Sequence, residues 1–311
     1  MFDTINFKLS KYDAGGVNLL DTIPRYLEGV AYHSYSDGDV ITGKLGNLSV
    51  SLNEYVIKVG DGSLCKWHLG DNYKAMTRGD VKHAIEHLSD TLHLPMNQAD
   101  IKRLDVGCNI ITRHPVAVYL DHLGDMGRAE RLRQPDSLYY QSTGQRLCLY
   151  DKNKEQREAH NPIPELYTGR NVLRIEQRYT RRIAKQLRVS EAKAGLLYEE
   201  NHYTAIIRRW VDSYKAIRKI NDVRLNLRAM TGKKQLHRMG LLALISLGGG
   251  EANIMAQIKE AQRLGELTKK QAFDLRQAVR EAMQTDDSLT IQSEAIRELD
   301  KKVMEAVRFY R

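Results

Sequence analysis

Up to about Tyr179 the chain reads as short β-like alternations broken by turn signals; beyond it, apolar positions recur at helical spacing. The β-like runs are DTINFKL, GVAYHSYSDGDVITGKLGNLSVSL, NEYVIKVGDGSL, IKRLDVGCNII, QRLCLYDK and NVLRIEQRY. The tetrapeptides SDGD and GDGS within them are hairpin-grade turns, because glycine tolerates the positive φ such turns demand. One helix interrupts this half: TRGDVKHAIEHLSDTLHL sets Val81, Ile85 and Leu88 on one face, with Thr77 or Asp80 as N-cap. A shorter helix is predicted over PVAVYLDHLGDM. The later segments, from TRRIAKQLRVSEAKAGLLYEE through HYTAIIRRWVDSYKAIRKI to SEAIRELDKKVMEAVRFYR, are amphipathic helices. The pattern predicts an α+β fold: an antiparallel sheet with flanking helices over residues 1–189, then an all-helical basic unit over 190–311. No Pro/Gly/Ser linker marks that boundary.

Side chains alternate across a strand, so three of the runs acquire a chemical face. In KRLDVGCNI, Leu104, Val106, Cys108 and Ile110 point one way, and Arg103, Asp105 and Asn109 the other. In RLCLYDK, Leu147 and Leu149 face a core, while Arg146, Tyr150 and Lys152 face away. In VLRIEQRY, Arg174, Glu176 and Arg178 oppose Leu173 and Ile175. As ordinary half-exposed strands these would hold solvated or paired charges. As sheet neighbours they would bring Asp105, Glu176, Tyr150 and Lys152 together. Two carboxylates on one face suit a hard cation, Mg²⁺ or Mn²⁺. The metal would polarise a phosphodiester while Lys152 offsets developing charge and Tyr150 attacks phosphorus.

Charge adds a partner. The chain has 311 residues and a net charge of +9, and between Arg170 and Gly240 it carries 18 Lys/Arg against 6 Asp/Glu. Such a cluster attracts a polyanion, and nucleic acid is the usual one; a solvated helix face is the bland alternative. Arg103, Arg174 and Arg178 on the strands, Tyr179, Arg181 and Arg182 after them, and Arg208, Arg209 and Lys215 in RRWVDSYKAIRK are the candidate DNA contacts. Trp210 and Tyr214 lie among those cations as candidate base-stacking residues, and RRIAKQLRVSEAKAG has a helix–turn–helix rhythm; a helical scaffold or oligomerisation surface is the alternative reading of this half. Three widely spaced cysteines form neither a disulfide frame nor a CxxC site. With charges where a signal peptide needs an apolar run, they point to the cytoplasm.

Several residues rank lower. His83 and His87 have i,i+4 spacing without the glutamate of an HExxH site, and His114 stands in a turn before Pro115. Tyr139 and Tyr140 read as strand-packing or base-stacking residues. SLGGGEAN lacks a GK[ST] ending and reads as a break between helices.

In order and spacing these elements resemble the phage and plasmid replication proteins of the gene II/X family and, more distantly, the Rep_trans-type plasmid initiators. The likeness is carried by MFDTINFKL, LNEYVIKV, the GDN at Gly70–Asn72, IKRLDVGCN, LYDKNKE as Y-x-K-x-x-E, and NVLRIEQRYTRR as R-x-E-x-R, spanning Met1 to Leu187. It implies a rolling-circle initiator that nicks one strand at an origin, keeps the 5′-phosphate on a tyrosine and later rejoins the strand, with a host helicase and polymerase as partners. Carried over by position, Tyr150 is the nucleophile, with Tyr179 its competitor. Lys152 is its lysine, and Asp105 and Glu176 are metal-side carboxylates. Glu155 is a further metal-side or structural residue. The His-hydrophobe-His tripeptide of the wider superfamily is absent, so the implied ligand set is Asp105, Glu176, Glu155 and His68 from KWHLGDN. A non-catalytic nucleic-acid-binding protein and a carboxylate–metal nuclease using water are the rival readings.

Overall fold

The computed structural model describes residues 1–36, 38–223, 232–248, 250–283 and 290–310. Ten strands are β1 (Phe2–Ser10), β2 (Glu28–Tyr35), β3 (Gly38–Leu45), β4 (Leu48–Leu52), β5 (Val56–Gly60), β6 (Asp100–Thr112), β7 (Glu130–Gln134), β8 (Ser137–Ser142), β9 (Gln145–Asp151) and β10 (Asn171–Tyr179). They form one sheet in the order β2-β3-β4-β5-β1-β6-β10-β9-β8-β7, and every neighbouring pair is antiparallel. The first strand is therefore interior, between β5 and β6. The chain is α+β as its periodicity predicts: the sheet with its helices, then an all-helical region.

The helices are α1 (Leu19–Thr22), α2 (Leu64–Leu69), α3 (Arg78–Leu92), α4 (Val116–Asp121), α5 (Lys152–Glu158), α6 (Ile183–Leu187), α7 (Glu200–Lys215), α8 (Lys233–Leu247), α9 (Glu251–Arg263), α10 (Lys269–Met283) and α11 (Glu294–Tyr310). Thr77 caps α3 in a reciprocal capping box with Asp80, which satisfies two of the free N–H groups at the helix start. The apolar face of the sheet is roofed by α4, α7 and α11. Trp210 of α7 is fully buried and donates its indole N–H to the Ile175 carbonyl at 3.2 Å. Ile296, Leu299, Val303 and Val307 recur every three to four residues along α11 and are all buried. Each such side chain contributes about 1.5–3 kcal/mol by leaving water.

Two hydrophobic cores result. The larger runs from Met1 to Val307 and includes α7 and α11, beyond the 189/190 division; the smaller holds α8, α9 and α10 alone. No helix among the described residues is long and apolar enough to cross a membrane.

Three local readings change. GDGS is not a hairpin: it leads from β5 into α2, where the Ser63 hydroxyl accepts the Lys66 N–H at 3.0 Å. RRIAKQLRVSEAKAG is no helix–turn–helix: α6 has five residues, bounded by Arg182 and Arg188 in the left-handed region, and a short irregular stretch leads from it into a 3₁₀ turn at Ala194–Tyr198. Trp210 and Tyr214 are core residues rather than a base-stacking surface, Tyr214 donating to Asp300 at 2.6 Å. Two others hold. SDGD joins β2 to β3, with Tyr35 opposite Gly38, though Asp37 lies outside the described residues. SLGGGEAN separates α8 from α9, with Gly249 outside the described residues.

Candidate active site

The site begins with register. On β6 and β10, Asp105 stands opposite Arg178, Gly107 opposite Glu176 and Asn109 opposite Arg174. On β10 and β9, Arg174 faces Tyr150, Glu176 faces Cys148 and Arg178 faces Arg146. Opposed residues of an antiparallel pair share a face, so Asp105, Glu176 and Tyr150 lie on one side of the sheet.

Their charges interlock. Arg103 grips Asp105 with both arms, Nε to Oδ1 at 3.0 Å and Nη2 to Oδ2 at 2.7 Å. Arg178 donates to Glu176 at 2.5 Å and approaches Asp105 at 3.8 Å. Arg174 donates to Glu176 at 2.6 Å and to Asp3 of β1 at 2.5 Å, with Asn109 Oδ1 at 3.2 Å. The phenol of Tyr150 donates to Glu176 Oε2 at 3.3 Å.

Gly107 makes the crowding feasible. A Cβ there would meet the Ile175 carbonyl oxygen at 2.5 Å and Glu176 Cα at 2.9 Å. Asn72 ties the loop before α3 to the network: its side chain donates to Asp3 at 3.2 Å, and its carbonyl accepts from Asn109 at 3.0 Å. Asp3, Asn72 and Asn109 are not candidates from the sequence, although the MFD start and the GDN tripeptide belong to the resemblance.

Burial dominates the electrostatics. It pushes the Asp105 carboxyl up to about 6 against the pull of Arg103. At Glu176 burial also opposes charge, but Arg174 and Arg178 together hold the carboxyl well below the usual carboxylate range. Burial, reinforced by Glu176, raises the Tyr150 phenol well above its ordinary value, so it rests protonated.

Of the remaining candidates, Lys152 and Glu155 flank this network. Lys152 does not project from the strand face. Asp151 ends β9 and accepts the Lys154 N–H at 2.9 Å as N-cap, so Lys152 opens α5. Its ammonium is buried and held by Glu155 at 2.8 Å. Tyr179 faces the opposite, apolar side with Ile175, is 4% exposed, and has its phenol pushed up to about 12 by burial. It is not beside the carboxylates, and its mostly buried ring borders a separate cavity lined also by Arg209 and Gln186. Arg174, also named as a DNA contact, is 2% exposed and spent on Asp3 and Glu176. Arg103 and Arg178 are part-exposed at the rim, and Arg181, Arg182, Arg208 and Lys215 are exposed. Arg209 is half-buried. Tyr140 packs inward and donates to the Gly124 carbonyl at 2.5 Å, whereas Tyr139 shares the polar face with Cys148.

His68 lies apart, its ring edge-on to His87 at 6.3 Å and its charged neighbours on α3. Every oxygen of Asp105 and Glu176 accepts from a guanidinium, and Glu155 accepts from Lys152 and Gln156. Among the described residues no three His, Cys, Asp or Glu side chains converge as a metal group. In this arrangement Asp105, Glu176, Glu155 and His68 do not form a seat for Mg²⁺ or Mn²⁺, and a cation there must first displace arginines. The expectation of a metal rests on the sequence pattern and the resemblance.

The mouth of the site is a cavity of about 370 Å³ lined by Tyr150, Tyr139, Arg178, Glu155 and Lys154. Fold and face together define an α+β protein whose central sheet carries a tyrosine within an arginine–carboxylate network. The profile of the Phage_CRI family, the N-terminal part of the replication-associated proteins of the filamentous-phage gene II type, matches residues 1–204, and the chain belongs to that family. The comparison with individual curated proteins returns no match.

Proposed function

We propose that the chain starts rolling-circle replication by nicking and rejoining one DNA strand, with Tyr150 as nucleophile. The observation that carries the reading is the position of the Tyr150 phenol. It stands on the polar face, 3.3 Å from Glu176, and lines the open cavity beside Arg178. In the reaction the phenolic oxygen bonds to phosphorus, the P–O3′ bond breaks, and the 5′-phosphate stays on the tyrosine. Glu176 accepts the phenol's hydrogen bond and orients it; the phenolic proton leaves to water as the bond forms, and the departing 3′-oxygen takes a proton from water. Arg178 is near enough to offset charge on the phosphoryl oxygens. The reverse transesterification closes the strand. Origin DNA is the substrate, and a host helicase and polymerase are the partners this reading calls for.

One observation favours the rival of a replication protein that binds DNA without cutting it: the saturation of Asp105 and Glu176 by arginine. Trapping decides between them. Single-stranded origin DNA is incubated with the protein, with and without Mn²⁺, and the denatured mixture is searched for a protein–DNA adduct by peptide mass spectrometry. An adduct on the Tyr150 peptide, lost in Tyr150→Phe, is the expected result. Cleavage that persists in Tyr150→Phe without an adduct would mean a water-using nuclease, and no cleavage at all a binding protein.

A further inference from the structure

The polar face does not end at the site. Past Arg103 it continues over β1, β5, β4 and β3. Lys8 on β1 stands directly opposite Lys58 on β5, Lys58 opposite Ser51 on β4, and Ser49 opposite Lys44 on β3. Lys8, Lys58 and Lys44 are exposed, although the residues flanking them along their strands are mostly buried. Lys44 donates to the Ser49 hydroxyl at 2.8 Å.

Neither Lys8 nor Lys58 makes an ion pair among the described residues; Asp100 on β6 stands opposite Lys8, but its carboxylate is bonded by Lys193 at 2.9 Å. Like charges directly opposite one another in a sheet are destabilising. Lysines are common on edge strands, where they block pairing with other chains, but β1 and β5 are interior, so that role does not apply here. The two ammonium groups open onto a cavity of about 270 Å³ lined also by Ser49, Ser51, Asn6 and Asp61. The Asp61 carboxylate is engaged by the Asn6 amide at 2.9 Å. Lys102 at the same rim is already paired with Asp100 at 3.0 Å. What remains is a pair of facing cations without ion-pair partners of their own, beside serine hydroxyls and one carboxylate, Asp61, a set that holds the donors of a phosphate seat.

We propose that this seat binds a backbone phosphate of the DNA strand whose scissile phosphate lies at Tyr150. The inference rests on the nicking reading for its register, and on the lysine pair for its existence. Four strand spacings of ~4.8 Å and roughly nine residues of rise separate Lys58 from Tyr150, a diagonal on the order of 35 Å. Arg103 and Arg178 lie between, so the strand would cross the sheet obliquely and the seat would hold DNA several nucleotides from the cut.

The test is binding of a fluorescent single-stranded oligonucleotide of roughly 30 nucleotides, longer than the ~16-nucleotide footprint of a single module, across a KCl series. The double variant Lys8→Gln/Lys58→Gln should flatten the plot of log K against log salt by about 0.7 for each phosphate it no longer neutralises. Lys8→Arg/Lys58→Arg should restore the slope, and Lys82→Gln/Lys301→Gln on exposed helix faces should leave it unchanged. An unchanged slope with this oligonucleotide overturns the proposal. Adduct formation at Tyr150 is scored separately. A flattened slope supports the seat whether or not an adduct forms, and an adduct with an unchanged slope removes the seat while sparing the nicking reading.

Discussion

Arg174 and Asp3 lie 171 positions apart in the chain, yet the guanidinium of one donates to the carboxylate of the other at 2.5 Å. The contact reaches over β6, from β10 to β1. The same arginine holds Glu176, so one buried cation serves two buried carboxylates on different strands.

Replacing Arg174 by methionine should therefore destabilise the protein by about 3–5 kcal/mol, because it leaves buried carboxylate charge under-compensated. Urea unfolding with an unchanged m-value would measure this directly. Arg174→Lys, which keeps the charge but not the fork, should fall between the two. Parent-like stability in the methionine variant would mean that Arg178 alone suffices for Glu176.

Gly107→Ala should cost about 1–3 kcal/mol, because the new methyl group has no room against the β10 backbone. Thermal unfolding is the measurement. A melting temperature equal to the parent's would refute the crowding argument.

Trp210→Ala should cost about 3–5 kcal/mol, while the folded variant binds single-stranded DNA as the parent does. Denaturant titration and anisotropy on the same sample separate the two effects. Lost affinity at unchanged stability would restore Trp210 as a base-stacking residue.

Glu298 links α11 to the strand end and to α4. Its carboxylate accepts from the Tyr119 hydroxyl at 2.5 Å and the Arg113 N–H at 3.1 Å, and pairs with Lys302 at 2.7 Å. Although burial opposes the charge, Lys302 and Tyr119 hold its pKa below the ordinary value. A depressed carboxyl contributes stability that is fully present above the unfolded value of ~4.3 and is lost as pH falls through the folded one. The stability difference between parent and Glu298→Gln should be constant near neutrality and shrink below about pH 4. Equal acid sensitivity in both proteins would rule out that linkage.

Alternation makes the central face legible: Asp105, Asn109, Tyr150, Arg174, Glu176 and Arg178 take their side from it without any knowledge of pairing. Depth is not legible. A period of two reports which way a side chain points, and says nothing of a loop arriving from position 72 to cover it. Arg174 and Lys152 thus read as surface cations but are buried. Lys152 has a signal, since Asp151 followed by a charged run is a helix start. So does β7, because Pro135–Asp136 is a turn dipeptide between two alternating stretches. Trp210 and Tyr214 also have a signal: with Tyr203, Ile206, Ile207 and Val211 they fall on the one apolar stripe of α7, and the cations that flank them in sequence occupy its outer side.

Because β1 is an inner strand, its acidic residue must wait for the tenth strand to be made before it meets its arginine. A ribosome-bound chain that stops short of about residue 180 holds one half of this constellation without the other. Pairings so distant along the chain form slowly and as a unit. Under the proposed nicking function, competence to handle a phosphodiester would thus arrive late and all at once, as a property of the finished sheet rather than of any fragment.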